Sequence, residues 1–230
     1  MAAPLLASLA CAVLALIFFS WLAEEVFEGE TNHFDLSVRA FIHQYSSAGL
    51  TKWMQGVTFL GSPYVLFSLF TICCAGFLLA KWPRGAAWLA VGVSGSVVLD
   101  TSLKLLFHRV RPVPFFGPLP HSYSFPSGHA LSSFCFYGIL AGLLDTRIRS
   151  LAVRVSIWIA AALLVLAIGV SRIYLGVHYP TDVIAGYMAA AVWVSTLIYA
   201  DRMRSARHYA RAQTPSSRRQ ADGERLEPRS

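Results

Sequence analysis

Residues 155–171 read VSIWIAAALLVLAIGVS, a run of apolar and small residues without a charged side chain. Five more such runs lie at residues 1–23, 53–80, 85–103, 128–144 and 183–200, and Asp100 is the only charged residue in any of them. A helix needs about 17–25 mostly apolar residues to cross a bilayer. The sequence therefore predicts an all-α integral membrane bundle of six transmembrane helices.

The composition indicates that lipid surrounds most of the chain. Only 13% of the 230 residues are charged, compared with roughly 25% in soluble domains. Of the 19 lysines and arginines, 13 lie after residue 200 or in the two loops that six spans would place beside both termini. Because cytoplasmic loops are enriched in Lys and Arg, both termini are expected in the cytoplasm. Topology thus explains the net charge of +7, and no nucleic-acid partner is expected.

The chain divides into one membrane domain, residues 1–200, and a basic tail, residues 201–230, which is expected to be disordered and cytoplasmic. No basic residue precedes the first apolar run, which favours an uncleaved span over a signal peptide. Between the first two spans, apolar residues at helical spacing predict a short interfacial helix, with a packed loop as the alternative. They are Phe34, Val38, Phe41, Ile42 and Tyr45.

A first cluster of charged residues ends the third span, from Lys104 to Pro112. Lys104 and Arg111 are seven residues apart, so on a helix they point to nearly the same face. Two cations on one face at the membrane surface suit an anion with several oxygens. Basic side chains that extend to the interface from a buried stem are the alternative.

A second cluster, Pro126-Ser127-Gly128-His129, opens the fourth span. Proline is favoured in the first turn of a helix, and the free amides of a helix start attract phosphate. Ser127 adds a hydroxyl donor, Gly128 allows close approach to the backbone, and His129 can exchange a proton near neutral pH. A simple helix cap is the structural alternative.

A third cluster joins Ser171 and Arg172, at the end of the fifth span, to His178 and Asp182, at the start of the sixth. The four-residue separation lets the carboxylate of Asp182 reach one imidazole nitrogen of His178. The other nitrogen is then left as a nucleophile. Asp182 also suits a helix N-terminus on electrostatic grounds, so capping is the alternative for this residue.

The three clusters form the series Lys-x6-Arg-Pro, Pro-Ser-Gly-His and Ser-Arg-x5-His-x3-Asp, at residues 104–112, 126–129 and 171–182. This series resembles the type-2 phosphatidic-acid phosphatase superfamily, and the six-span layout resembles it too. No position of the three motifs departs from the family pattern.

The resemblance implies roles for the residues of the motifs. His178 would attack phosphorus and form a phosphohistidine, with Asp182 orienting it, while His129 would protonate the leaving oxygen and then activate water. The phosphoryl oxygens would be held by Lys104, Arg111, Ser127, Gly128 and Arg172. Because these groups do the work of a metal, neither a metal nor another cofactor is expected. Asp100, one turn before Lys104, is expected to pair with it, and Ser171 is expected to support the site.

The implied substrate is a lipid phosphate: polyprenyl diphosphate, phosphatidylglycerol phosphate, phosphatidic acid or lipid A phosphate. The short loops resemble bacterial members, which implies the inner (cytoplasmic) membrane with the active site on the periplasmic or extracellular side. No oligomeric state is implied. His108 and His121 flank the loop between the first two clusters. Each could contact substrate or be an ordinary interfacial histidine, and both alternatives stay open.

Three other activities fit parts of this pattern. The same phosphohistidine could pass its phosphoryl group to an acceptor other than water. Vanadate held by His178 would give haloperoxidase chemistry, although six spans argue against it. A non-enzymatic lipid-phosphate carrier would need the cations but not the pair of histidines with Asp182.

Overall fold

The computed structural model describes the backbone of residues 2–224 and the side chains of residues 5–204. All regular structure in this part of the chain is helical: α1 Ala2–Glu28, α2 Asn32–His43, α3 Ala48–Leu60, α4 Pro63–Leu79, α5 Pro83–Phe107, α6 Gly128–Asp145, α7 Leu151–Tyr174 and α8 Pro180–Glu224. The all-α prediction is therefore confirmed.

The described residues contain four helices that are long and apolar enough to cross a membrane: Leu5–Glu28, Pro83–Phe107, Leu151–Tyr174 and Pro180–Arg204. The bent pair α3 and α4 gives a fifth if it is one span. The count of six is not confirmed, because α6 is not among these helices. Polar residues at the start of α6, His129, Ser132 and Ser133, lower its hydropathy.

The second predicted span, residues 53–80, is broken into α3 and α4, which meet at 45°. The Ser62 hydroxyl accepts a hydrogen bond from the Val65 amide, and Pro63 occupies the first turn of α4. These are start signals of a new helix, so the chain bends here despite its uniform hydropathy.

Two further expectations concern the regions outside the spans. The predicted short helix is present as α2, but its polar residues Asp35 and Arg39 are buried, while Phe34 and Phe41 are exposed. Beyond residue 200 the backbone continues α8 as far as Glu224, where a disordered tail was expected. Ala, Arg and Gln in this segment favour helix, and the division into a membrane domain and a disordered tail stays a prediction. Residues 225–230 of the predicted tail lie outside the described part.

The centre of the bundle is formed by α8, which packs against α1 and α6. Small residues on α8 allow this close packing. A Cβ atom at Gly186 would lie 2.7 Å from the carbonyl oxygen of Ser127, and the Ser127 amide donates a hydrogen bond to the Asp182 carbonyl at 2.9 Å. The starts of α6 and α8 are thereby held side by side, which brings the second and third sequence clusters together.

Candidate active site

Residues from all three sequence clusters line one cavity of about 1010 Å³. Those at its wall are Asp100, Lys104, Arg111, Gly128, His129, Arg172 and His178. Ser127 and Asp182 are buried behind this wall. The Ser171 hydroxyl instead donates to the carbonyl of Ile168 within its own helix at 2.6 Å. The structure thus brings together every residue proposed for the site except Ser171.

His178 is held between a carboxylate and a guanidinium. Its Nδ1 lies 3.3 Å from Oδ2 of Asp182, and its Nε2 lies 2.9 Å from Nη1 of Arg111. Burial lowers the pKa of His178 to about 3; the hydrogen bond to Asp182 opposes this effect, and the charge of Arg111 adds to it. The ring is therefore neutral at pH 7. With its proton on Nδ1, facing Asp182, the lone pair of Nε2 points toward Arg111 at the cavity wall.

This lowered pKa makes a prediction about acid stability. Between pH 6.5 and about 3 the unfolded chain binds a proton at His178 and the folded chain does not. The free energy of unfolding should therefore fall as the pH drops through this window, by about 1.4 kcal/mol per pH unit from this residue. We expect the thermal midpoint in detergent to fall less steeply from pH 6.5 to pH 4.5 in His178→Gln than in the wild type. Parallel curves would contradict a neutral buried His178.

The Asp182 carboxylate is fixed on all sides. Oδ2 accepts from the Tyr179 amide at 2.8 Å and from the Ser124 hydroxyl in a short contact, besides facing His178. Oδ1 accepts from Nη1 of Arg109 at 2.7 Å. A carboxylate with this many donors stays ionised and cannot rotate freely, so it holds the imidazole in one orientation.

The cations at the cavity wall are also fixed by named partners. Nζ of Lys104 donates to both Asp100 oxygens at 2.6 Å, which realises the pair expected from their spacing. Arg111 donates to the carbonyl and the hydroxyl of Ser122 at 2.6 and 2.9 Å. Nη1 of Arg172 donates to the Thr58 hydroxyl at 2.8 Å.

Several donors at the site are not used within the protein. The Ser127 hydroxyl and Nε of Arg172 are buried and find no partner among the described residues. A Cβ atom at Gly128 would lie 2.7 Å from Nζ of Lys104, so the glycine lets this ammonium approach the start of α6 closely. Buried polar groups are normally satisfied. These donors, beside three cations, are suited to the oxygens of a phosphate.

Residues 85–206 match the sequence profile of the PAP2 superfamily, which is more than half of the chain. The chain belongs to the PAP2 superfamily. It is 32% identical over 176 residues to phosphatidylglycerophosphatase B of Bacillus subtilis, an alignment that covers 74% of this chain and 85% of that protein. It is also 35% identical over 108 residues to an undecaprenyl-diphosphatase of Sulfolobus acidocaldarius, covering 44% of this chain and 48% of the relative.

A solved PAP2 structure has a similar fold. It is the crystal structure of a transmembrane PAP2-type phosphatidylglycerolphosphate phosphatase from Bacillus subtilis, with a TM-score of 0.76 and 29% identity, covering 84% of this chain and 96% of that one. The family match and the phosphatase relatives show that this PAP2 chain is a phosphatase. Its long apolar helices show that it is embedded in a membrane.

The PAP2 motifs do not include several residues that complete the site. Arg109 and Ser124 contact Asp182, and Thr58 contacts Arg172. Arg109 stands out in the sequence only as one of the few basic residues on its side of the membrane. Of the two loop histidines, His121 lines the cavity, whereas His108 caps α5 and its ring packs edge-on against Tyr123, with centroids 4.6 Å apart.

Proposed function

We propose that the chain hydrolyses the phosphate ester or diphosphate of a membrane lipid through a phosphohistidine on His178. The observation that carries this proposal is the geometry of His178: one nitrogen is held by Asp182 and the other lies at a cavity wall that carries three cations. A site that only bound phosphate would need the cations but not this oriented histidine.

In the proposed first step, Nε2 of His178 attacks phosphorus and the bond from phosphorus to the leaving oxygen breaks. Arg111, which contacts Nε2 of His178, moves its hydrogen bond to a phosphoryl oxygen as phosphate takes this place. His129 gives a proton to the leaving oxygen. In the second step, water attacks phosphorus, His129 takes a proton from that water, and the P–N bond breaks to regenerate His178 and release phosphate.

The charges of the site stabilise these steps. Lys104, Arg111 and Arg172, with the Ser127 hydroxyl and the Gly128 amide, hold the three phosphoryl oxygens as negative charge develops on them. Asp100 fixes the position of the Lys104 ammonium. We propose that these groups act without a metal, so activity is expected to persist in EDTA.

The shape of the cavity supports a lipid as the substrate. From the charged end it continues along α4 and α5, past Pro63, Tyr64, Phe67, Val97 and Leu105. Tyr64 is 83% exposed and Phe67 68% exposed, so the apolar end of the cavity reaches the outer surface of the bundle. A phosphate at the cations could thus keep its acyl or prenyl chain among lipids.

The natural substrate is the first point to test. Phosphatidylglycerol phosphate is the leading candidate, because the relative named for it aligns over 74% of this chain. Polyprenyl diphosphate, phosphatidic acid and lipid A phosphate complete a panel for purified protein in detergent with EDTA. Release of inorganic phosphate supports the proposal, recovery of the phosphoryl group on another acceptor indicates a transferase, and a strict need for a divalent metal contradicts the mechanism.

We also propose the orientation in the membrane. The excess of Lys and Arg on the side of the termini supports cytoplasmic termini. The site would then lie on the opposite, periplasmic or extracellular, side of a bacterial inner membrane. Reactivity of single cysteines introduced near Arg149 and near His33 toward an impermeant reagent in whole cells tests this orientation. Labelling of the position near Arg149 would reverse it.

A bulky side chain in the apolar part of the cavity should discriminate between long and short substrates. Val97 lines the cavity on α5, and the adjacent Val98 is exposed at 66% and does not line it. We expect Val97→Trp to reduce kcat/KM for a long-chain lipid phosphate by about 10-fold or more. Hydrolysis of a short water-soluble phosphate ester should change little, because its ester group does not reach this part of the cavity.

Val98→Trp is the matched control and should affect neither substrate. An equal loss on long and short substrates in Val97→Trp would contradict a chain-binding role for the cavity. The same loss in Val98→Trp would indicate a general disturbance of α5.

A further inference from the structure

The interfacial helix α2 carries a fully buried carboxylate, although its residues other than Asp35 and Arg39 are exposed or half-buried. Asp35 is 0% exposed, whereas its neighbours Phe34 and Leu36 are exposed. Oδ2 of Asp35 accepts from Nη2 of Arg109 at 2.8 Å, and the amide and hydroxyl of Thr181 donate to its two oxygens at 3.0 and 2.7 Å. A charge buried this completely is kept only where it is paired and hydrogen-bonded.

Arg109 connects this carboxylate to the active site. Its Nη2 donates to Asp35, while its Nη1 donates to Oδ1 of Asp182 at 2.7 Å and to the Thr181 hydroxyl at 2.9 Å. The guanidinium lies over the ring of Tyr179, with Cζ 4.2 Å from the ring centroid. One planar cation therefore bridges two buried carboxylates, one on α2 and one beside His178.

The two carboxylates of this bridge stabilise the charged form of Arg109. Burial acts to lower the pKa of Arg109, but Asp182 and Asp35 outweigh it and hold the pKa above its usual value. Arg109 engages Oδ1 of Asp182 and leaves Oδ2 to face Nδ1 of His178. Rotation of this carboxylate would break the contact with Arg109, so the bridge limits the positions that His178 can adopt.

We propose that Asp35 and Arg109 are positioning residues for catalysis: Asp35 fixes Arg109, Arg109 fixes Asp182, and α2 is thereby an obligatory part of the active site. This inference rests on the proposed function of His178 and Asp182. Neither Asp35 nor Arg109 belongs to the three motifs, and neither lines the cavity, so both act on the reaction through Asp182.

Asp35→Asn is the direct test, because it keeps the size of the side chain and removes its charge. We expect kcat for lipid phosphate, and the single-turnover rate of phosphohistidine formation, to fall by about 10- to 100-fold, since small displacements of reacting groups have effects of this size. KM should stay within about 3-fold of the wild-type value, because the phosphate-binding cations are untouched. Asp35→Glu, which keeps the charge, should restore part of the lost kcat.

Arg39→Gln is the matched control for a purely structural role of α2. Arg39 lies on the same helix, is almost as buried, and ties α2 to the carbonyls of Val113 and Gly176 at 2.9 and 3.2 Å, without a hydrogen bond to Asp35 or Asp182. We expect it to lower the thermal midpoint while kcat of the folded enzyme stays within about 2-fold.

These variants distinguish a failure of the positioning role of Asp35 from a failure of the proposed function. Unchanged kcat in folded Asp35→Asn, or an equal loss of kcat in Arg39→Gln, would overturn the positioning role. Should Asp35→Asn not fold, Asp35→Glu decides: a reduced kcat with unchanged KM supports the role, and wild-type kcat overturns it. A wild-type protein that releases no phosphate from any lipid would instead overturn the proposed function itself.

Discussion

Replacing His178 with alanine should abolish phosphate release, with a loss of at least about 10⁴-fold in kcat. The side chain is 1% exposed, and its two ring nitrogens are directed to Asp182 and to Arg111 at the cavity wall. Removing it deletes the proposed attacking atom and leaves the cations without a nucleophile. Substrate binding should survive, because the groups proposed to hold phosphate remain.

Two measurements check this loss. Release of inorganic phosphate gives the rate, and acid-labile labelling of the protein by substrate carrying radioactive phosphate shows whether a phosphohistidine forms. The matched control is His33→Ala, since His33 is exposed on α2 and outside the cavity. Labelling that persists in His178→Ala, or a residual rate above about 1% of the wild type, would place the nucleophile on another residue.

Two side-chain contacts of the candidate site could be predicted from the sequence because they are local. His178 and Asp182 are four residues apart and meet as expected, as do Asp100 and Lys104. The contact of Asp100 with Lys104 follows from the geometry of α5. His178 and Asp182 are only four residues apart across the start of α8, so neither contact needs knowledge of the fold. The three clusters also lie at helix ends that the apolar runs locate within a few residues, so their convergence at one cavity could be anticipated.

The contacts that sequence reasoning missed join residues that are far apart in the sequence. Arg109 and Asp35 are 74 residues apart, and Arg172 and Thr58 are 114 apart. Helical periodicity predicted α2, but it could not tell which face would be buried. The usual expectation of apolar residues facing inward fails here, because the polar face of α2 meets the charged end of the bundle.

The bend at Gly61 to Pro63 was missed for a different reason. Hydropathy alone reads residues 53–80 as one span, whereas Ser62 and Pro63 carry a local helix-start signal. Thr58, just before the bend, reaches Arg172, and Pro63 and Tyr64, just after it, line the cavity. The bend therefore lets one apolar segment contact both the charged end and the apolar end of the cavity. Capping residues inside a predicted span are thus a sign of two helices rather than one, even where the hydropathy is uniform.

His129→Asn should lower kcat for a lipid phosphate by about 10²- to 10⁴-fold, the range of general acid–base catalysis. His129 lines the same cavity as His178, from the first turn of α6. In the proposed mechanism it has two tasks, protonation of the leaving oxygen and activation of water. Both tasks should fail in the variant, but they fail in different steps and can be separated.

The nature of the leaving group separates them. The leaving group of 4-nitrophenyl phosphate, 4-nitrophenolate, is a weak base and departs without a proton. His129→Asn should therefore still form phosphohistidine from this substrate at close to the wild-type rate. Water attack should remain slow, so the phosphohistidine should accumulate and appear as a burst of nitrophenol followed by a slow steady state. His121→Asn, which alters another histidine at the cavity wall, is the control and should show neither the loss nor the burst. The contrary outcome is that His129→Asn slows the hydrolysis of alkyl and aryl phosphates equally and accumulates no phosphohistidine. His129 would then act neither as the acid nor as the base, and its position at the cavity wall would contribute to binding alone.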